Sequence, residues 1–149
     1  MANDPSAASW FPGERVVQDD QPGLGPLAGL ATALAASGGR PVIVLAWDMP
    51  FVPASLLLEL RRRGAGVDAV IPVHGAQREP LCALYAPEAL ATCRSLLATG
   101  ERRAGALADC LARVAWVDDA GLAAFGDVEH IFTSVDTPER LAALGGALP

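Results

Sequence analysis

Lysine is absent from the 149-residue sequence, so all eleven basic residues are arginine. The 17 Asp and Glu residues outnumber them and give a formal net charge of −6 at pH 7. This charge argues against a nucleic-acid-binding surface. The one basic run, Arg61 to Arg63, falls at the predicted end of a helix, where cations complement the helix dipole. We therefore expect no nucleic acid among the partners.

Long apolar runs and a basic-then-apolar N-terminus are also lacking. Gly, Pro, Asp or Arg interrupts every apolar segment well before the roughly 18 residues that a membrane span needs. We expect a cytoplasmic protein with no membrane partner. Cysteine is scarce, and Cys82, Cys93 and Cys110 form no C-x-x-C pair. This spacing favours small buried side chains over a zinc site or a disulfide framework.

The length and a composition of 52% hydrophobic and 19% charged residues predict one globular domain. The small, polar residues 1–13 predict a disordered tail before a domain that covers residues 14–149. Predicted strands cover 14–18, 42–47, 68–73, 80–85, 114–117 and 131–135; predicted helices cover 53–63, 87–98, 103–111 and 139–144, besides one that begins at Pro26. This alternation indicates an α/β, Rossmann-like fold, with a mostly parallel sheet and helices on both faces.

The segment from Pro41 to Pro53 organises the rest of the chain. Val42 to Trp47 is an apolar run rich in β-branched residues, which favours a strand buried on both faces. Asp48 follows directly, and the carboxyl end of such a strand is where α/β sheets bind ligands. From this segment alone, a chemical role for Asp48 and a role in capping a helix or turn are equally supported.

A Gly- and Pro-rich turn leads into the helix that begins at Pro26. Proline suits the first helical position because its missing N–H would be unpaired there anyway. Besides this structural role as a helix start, a binding role is possible, in which the turn presents free helix amides to an anion. It matches neither G-x-G-x-x-G nor a P-loop, so by itself it is weak evidence for a nucleotide site.

Asp136 ends another predicted strand and, like Asp48, is followed closely by proline. If both strands point the same way, the two carboxylates meet at one sheet edge and repel each other unless a cation lies between them. Mg²⁺ is typically held by one or two carboxylates, with waters and substrate phosphates. The alternative, slightly favoured by these residues alone, is that each Asp caps the helix that follows it.

Five short blocks form the most specific pattern in the sequence. In chain order they are GLGPLAG (Gly23 to Gly29), AWDMPF (Ala46 to Phe51), EPLCALY (Glu79 to Tyr85), GERR (Gly100 to Arg103) and VDTPERL (Val135 to Leu141). Together they resemble the molybdenum cofactor guanylyltransferases (molybdopterin-guanine dinucleotide biosynthesis protein A-like), within the nucleotidyltransferases that share a Rossmann-like sheet. The resemblance spans about Glu14 to Leu144. It implies transfer of GMP from GTP to molybdopterin-bound molybdenum, which gives the guanine dinucleotide cofactor and pyrophosphate.

The resemblance also implies roles for single residues. Asp48 corresponds to the family's magnesium-binding Asp and is the catalytic candidate, with Asp136 as a second metal ligand. The implied nucleotide-binding residues are Asp19, Gly25, Gly29 and Asp48, and the implied substrate-binding residues are Arg102, Arg103, Ser134 and Asp136. The implied cofactor is Mg²⁺.

One departure from the family pattern leaves the base open. The family usually has Asn-x-Asn where this sequence has Ser134-Val135-Asp136. An Asp at the second of the two Asn positions is common in related cytidylyltransferases, so the nucleotide is either GTP or CTP.

The second departure is at the front of the chain. Family members open with a strand and a Gly-rich loop that ends in a phosphate-binding Lys, and nothing like it precedes Glu14. The missing strand would be central, so its neighbour would have an unpaired edge. We expect impaired activity from this chain, since one such donor contributes on the order of 3 kcal/mol to transition-state stabilisation. An upstream extension would restore the loop; otherwise Arg15 is the basic residue nearest in sequence to replace the Lys.

Two classes of function therefore stay open. The first is a Mg²⁺-dependent nucleotidyltransferase. The second is a non-catalytic remnant or interaction protein of molybdenum cofactor biosynthesis, which docks to cofactor-handling partners such as molybdoenzyme maturation proteins. Stabilisation by GTP with Mg²⁺ distinguishes the two, because a ligand that binds only the native state raises the melting temperature.

Overall fold

The computed structural model describes residues 15–19 and 23–143, together with Ser9 and Gly13. The other residues of the predicted tail lie outside this part. The described helices are α1 (Pro26–Ala36), α2 (Ala54–Arg63), α3 (Ala89–Ala98), α4 (Gly105–Cys110), α5 (Asp119–Leu122), α6 (Val128–Ile131) and α7 (Pro138–Ala143). The strands are β1 (Val42–Leu45), β2 (Ala69–His74), β3 (Gln77–Arg78), β4 (Cys82–Tyr85) and β5 (Val114–Val117). The α/β class is confirmed.

The strands form one sheet in the order β1–β4–β2–β5, and β3 pairs with the end of β2. β1 and β2 both run antiparallel to β4, whereas β5 runs parallel to β2. The sheet is therefore mixed: β1, β2 and β5 share one direction, and β4 returns between β1 and β2. As a result, β1, β2 and β5 all end at the same edge of the sheet, which we call the carboxyl edge.

Helices cover both faces of the sheet, as predicted. On one face, α1, α3 and α4 pack against Ile71 and Tyr85, which are fully buried. On the other face, α2, α5 and α6 pack against Val70 and Leu84. The two faces bury alternate residues of the same strands, which is the period-2 pattern that strand geometry requires.

β1 differs from the prediction of a strand buried on both faces. Val42 and Val44 pack against the core on the α1 face, but Ile43 and Leu45 are 37% and 41% exposed. Trp47, just beyond the strand, is 85% exposed. The physical reason is position: among the described residues β1 pairs only with β4, so it is an edge strand.

Two predicted strands are wrong. Residues 15–19 are irregular, and Glu14 lies outside the described residues. The segment 131–135 contains the end of α6 and an irregular stretch, because Asp127 caps α6 by accepting the Glu129 amide and Ile131 enters the core. These tertiary contacts outweigh the β-propensity of the segment. Asp136 therefore does not end a strand.

Candidate active site

Asp48 lies just beyond the end of β1, at the carboxyl edge of the sheet. The Ala46 amide donates to the carbonyl of Leu81 (2.8 Å), and the Met49 amide then donates to the Ala46 carbonyl (3.2 Å), so a tight turn follows the strand. The turn redirects the chain into α2 and leaves the Asp48 side chain half-buried at the edge. This is the position where open α/β sheets bind ligands.

The carboxylate of Asp48 is held by a residue from the far end of the chain. Ser134 Oγ donates to Asp48 Oδ2 at 2.6 Å, and the Val135 amide donates to the Asp48 carbonyl oxygen at 2.7 Å. In the described part of the chain, no backbone amide donates to this carboxylate, and Oδ1 has no protein donor. One carboxylate oxygen is therefore available to a ligand.

The capping alternative is wrong for both carboxylates. The N-cap position of α2 is Pro53, with no side-chain hydrogen bond, so Asp48 does not cap the helix that follows it. For α7, the Arg140 amide donates to Thr137 Oγ1 at 3.2 Å, which makes Thr137 the capping residue. Asp136 instead lies 3.9 Å from the Arg140 guanidinium, with both side chains largely exposed.

The two predicted metal ligands are near each other in the backbone but differ in their contacts. Val135 hydrogen-bonds to Asp48 and directly precedes Asp136, so the backbone of the Asp136 segment lies against Asp48. The Asp136 side chain is 69% exposed and directed to Arg140. Within the described residues, no three His, Cys, Asp or Glu side chains are grouped so that they could hold a metal ion.

The predicted guanosine-contacting turn docks on Arg102. Gly25 has a φ of +79°, and a Cβ built on it would lie 3.2 Å from the Arg102 carbonyl oxygen. That carbonyl accepts the Leu27 amide at 3.1 Å, while the amides of Ala28 and Gly29 donate to the Gly25 carbonyl. The first amides of α1 are thus already bonded, and the alternative of free helix amides facing an anion is wrong. Asp19, upstream of this turn, is half-buried and has an interaction of its own.

The turn at Gly25 lies towards the same edge as Asp48. α1 packs on the sheet and is joined to β1 by the short connection 37–41, so the helix runs back along the strand. Its eleven residues span about 16 Å, and the run from Val42 to Ala46 spans about 13 Å before the turn that contains Asp48. The start of α1 therefore reaches the level of the carboxyl edge.

The two predicted substrate arginines are engaged inside the chain. The Arg102 guanidinium donates to the carbonyls of Leu97 and Glu101 at the end of α3. Arg103 donates to the Glu101 carboxylate and, with two backbone amides, lowers the pKa of Glu101 to about 2. The Arg103 side chain is 81% exposed, so its remaining surface faces solvent. Both guanidinium groups are therefore partly engaged, Arg102 through Nη1 and Arg103 through Nε and Nη2.

Arg15 lies at the opposite end of β1, which excludes it as a replacement for the missing Lys at Asp48. Its Nη1 donates to the Ala36 carbonyl at 3.3 Å, at the end of α1. With Arg40 it lines an open groove of about 370 Å³ beside Pro41. That groove lies at the start of β1, whereas Asp48 follows its end.

The structure shows a polar cluster at the carboxyl edge that the sequence pattern does not predict. His74 Nδ1 lies 2.8 Å from Asp119 Oδ1, and the Gly75 amide donates to Asp119 Oδ2 at 3.0 Å. The hydrogen bond with Asp119 raises the pKa of His74. Nearby Glu79 is 5% exposed; burial raises its pKa, and Gln77 Nε2 donates to it at 2.9 Å.

None of the helices in the described part of the chain has the length and apolarity needed to cross a membrane.

Comparison with known proteins agrees with the family resemblance. A family profile described as "MobA-like NTP transferase domain" matches residues 1–115. A probable molybdenum cofactor guanylyltransferase of Pelotomaculum thermopropionicum is 33% identical over 129 residues, which are 87% of this chain and 62% of that protein. The molybdenum cofactor guanylyltransferase of Shewanella halifaxensis is 30% identical, covering 91% of this chain and 66% of its own length.

A solved structure supports the same assignment. The molybdopterin-guanine dinucleotide biosynthesis protein A of Archaeoglobus fulgidus superposes with a TM-score of 0.68 at 32% identity, covering 80% of this chain and 60% of that protein. The nucleotidyltransferase-like fold is thereby confirmed. The chain spans less than two thirds of the length of each of these relatives. With the family profile matched over most of its residues, the chain belongs to the MobA-like NTP transferase family.

Proposed function

We propose that the chain carries the metal-binding site of a molybdenum cofactor guanylyltransferase, which transfers GMP from GTP to molybdopterin-bound molybdenum. The observation that carries the proposal is Asp48 at the carboxyl edge, held by Ser134 and with Oδ1 available. Relatives named for this activity support it. The cytoplasmic location expected from the sequence is part of the proposal.

The products define the bond changes. A dinucleotide cofactor and pyrophosphate form only if a phosphate oxygen of the acceptor attacks the α-phosphorus of GTP. The bond from that phosphorus to the bridging oxygen of the β-phosphate then breaks, and pyrophosphate leaves with its electron pair. Protein groups in such reactions mainly position the reactants and neutralise charge.

Asp48 fits the single-carboxylate role in a magnesium–nucleotide site. Mg²⁺ commonly uses one or two protein carboxylates, with waters and phosphates as its other ligands, and supplies charge neutralisation at the phosphates. Among the described residues, Oδ1 of Asp48 accepts no hydrogen bond, so this oxygen is suited to such a role at the carboxyl edge. Asp136 can become a second metal ligand only if its side chain moves away from Arg140. That ion pair is weak, because both side chains are exposed and the charged atoms are 3.9 Å apart.

Neutralising the negative charge of the β- and γ-phosphates of GTP requires further cationic groups. The sequence has no Lys, Arg15 lies at the wrong end of β1, and Arg102 and Arg103 are engaged. We propose that a segment pairing with the edge of β1 that is unpaired among the described residues supplies them. Residues 1–149 by themselves are then expected to give no measurable turnover. Radiolabelled GTP followed into the dinucleotide cofactor, with and without an N-terminal extension bearing a Gly-rich loop and a Lys, tests this.

The site itself is tested by nucleotide binding. Asp48→Asn keeps an oxygen for the Ser134 hydroxyl but removes the charge, so Mg²⁺-dependent GTP binding should weaken at least about tenfold while the melting temperature without ligand stays unchanged. Isothermal titration with GTP, and with CTP as the competing base, measures this. Asp136→Asn is the companion variant that tests the second carboxylate. Equal binding by wild type and Asp48→Asn would remove Asp48 from the site.

The second candidate function is a non-catalytic docking role in cofactor biosynthesis. The observation that favours it is the uncovered face of β1, where Ile43, Leu45 and Trp47 are exposed. Its occupants would be cofactor-handling proteins, including molybdoenzyme maturation proteins. A melting temperature that GTP with Mg²⁺ leaves unchanged would favour this role over the enzymatic one.

A further inference from the structure

Ser134 is presented to Asp48 by an anchored backbone. The two residues are 86 positions apart, yet Ser134 Oγ lies 2.6 Å from Asp48 Oδ2. The next residue, Val135, donates its amide to the Asp48 carbonyl oxygen and has a side chain that is only 7% exposed. Two hydrogen bonds and one buried side chain thus fix the hydroxyl against one oxygen of the carboxylate.

This contact restricts how Asp48 can bind a metal ion. Oδ2 is occupied by the hydroxyl, and in the described part of the chain Oδ1 has no donor, so a cation reaches one oxygen without breaking a bond. The hydroxyl uses one lone pair of Oδ2 and draws negative charge from that oxygen, so Oδ2 is a weaker metal ligand than Oδ1. The Ser134 hydroxyl therefore favours one-oxygen coordination.

The two common hard cations differ in this respect. Mg²⁺ prefers a small octahedral shell with few carboxylate ligands, whereas Ca²⁺ takes six to eight oxygens and often uses carboxylates in bidentate fashion. Groups that hydrogen-bond to a metal-binding carboxylate orient it and typically change metal affinity by 10- to 100-fold when removed. A hydroxyl on Oδ2 therefore disfavours Ca²⁺ more than Mg²⁺.

We propose that Ser134 is a positioning residue that holds Asp48 for one-oxygen coordination and so makes the site selective for Mg²⁺ over Ca²⁺. The proposal rests on the proposed function, because it requires Asp48 to bind the metal of a metal–nucleotide complex. It replaces the substrate contact that was expected of Ser134, since the hydroxyl proton is directed to Asp48.

The test compares the dissociation constants of GTP in saturating Mg²⁺ and in saturating Ca²⁺ for wild type, Ser134→Ala and Ser134→Thr. We expect the ratio of the two constants to fall about tenfold in Ser134→Ala and to be restored in Ser134→Thr, which keeps the hydroxyl. Thr133→Ala is the matched control, because it removes a 2.8 Å hydrogen bond to the Glu129 carbonyl in the same segment without touching Asp48. Its ratio should equal that of wild type.

Each outcome has one meaning. An unchanged ratio in folded Ser134→Ala overturns the role of Ser134 and leaves the proposed function standing. An equal fall in Ser134→Ala and Thr133→Ala shows a general effect of the loop and also overturns it. Wild type that binds GTP with neither metal contradicts the proposed function itself, and the role of Ser134 falls with it.

Discussion

At the scale of single residues, the imidazole of His74 is held by one carboxylate and influenced by two others. Asp119 lies 2.8 Å from Nδ1, and Glu129 and Glu79 add negative charge nearby. Asp119 raises the pKa of His74 above its ordinary 6.5, and His74 lowers the pKa of Asp119 below its ordinary 3.8. The pair joins the end of β2 to the start of α5.

The direction of these two shifts predicts how the pair stabilises the fold. A histidine whose pKa is raised by folding adds its full stabilisation below its ordinary pKa. This stabilisation is lost as the pH rises through the raised pKa. An aspartate whose pKa is lowered by folding adds its full stabilisation above its ordinary pKa. This stabilisation is lost as the pH falls through the lowered pKa. The ion pair therefore stabilises the fold most between the ordinary pKa values of Asp119 and His74, 3.8 and 6.5, at about pH 5 to 6.

We predict that His74→Gln lowers the free energy of unfolding more at about pH 5.5 than at about pH 8.5, measured by urea denaturation. His130→Gln is the matched control, because its ring contacts Phe51 and no carboxylate in the described residues. A loss from His74→Gln that is equal at both pH values would show that the ion pair contributes nothing.

Residue roles were predictable where the signal is local. Asp48 stands out because a buried-strand pattern ends in a carboxylate, and the structure places it at the expected edge. The partner of His74 was not predictable, because Asp119 is 45 residues away and belongs to a helix with no strong sequence pattern. Ser134 was assigned through family resemblance, and only the fold shows that its hydroxyl reaches Asp48.

At the scale of elements, the start of α1 depends on a glycine that no other residue replaces without strain. Gly25 has φ +79° and ψ −176°, a region that is essentially restricted to glycine. Its carbonyl accepts two helix amides, and its missing Cβ makes room for the Arg102 carbonyl oxygen. The turn thus joins α1 to the end of α3.

We predict that Gly25→Ala lowers the free energy of unfolding by about 1–3 kcal/mol from backbone strain, with a further loss from the crowded contact to Arg102. Gly23→Ala is the control, because Gly23 has a similar φ of +82° but nothing within 4 Å of an added Cβ. Urea denaturation of both variants separates strain from crowding. Equal losses would mean that crowding against Arg102 adds nothing to the loss of stability.

Element prediction succeeded where the hydrophobic period is strong and failed where tertiary contacts decide. α1 and α2 begin within one residue of their predicted proline-marked starts, because proline and an apolar stripe are local signals. The predicted strand over 131–135 failed because Asp127 starts a short helix there and Ser134 is drawn to Asp48. An apolar run alone does not distinguish these outcomes.

At the scale of the whole molecule, most of the positive charge is already paired. Within residues 15–19 and 23–143, the arginines that lie within 4 Å of a carboxylate are Arg62, Arg63, Arg78, Arg103, Arg113 and Arg140. The net charge of −6 further disfavours a triphosphate. Under the proposed function, we therefore expect nucleotide affinity to depend on the metal ion more than on these arginines.

The free edge of β1 gives the last prediction. Its backbone pairs on one side only among the described residues, and its outer face carries Ile43 and Leu45, with the exposed Trp47 just beyond. Exposed apolar edge strands pair with other chains, and a charged side chain on the edge suppresses this.

We expect sedimentation velocity to show that the protein associates through β1 as its concentration rises. Ile43→Lys should reduce this association. Leu58→Lys, which adds the same charge at an exposed leucine of α2, should have no such effect. Equal suppression by both variants would attribute the association to net charge, and a wild type that stays monomeric would mean that the edge of β1 is covered.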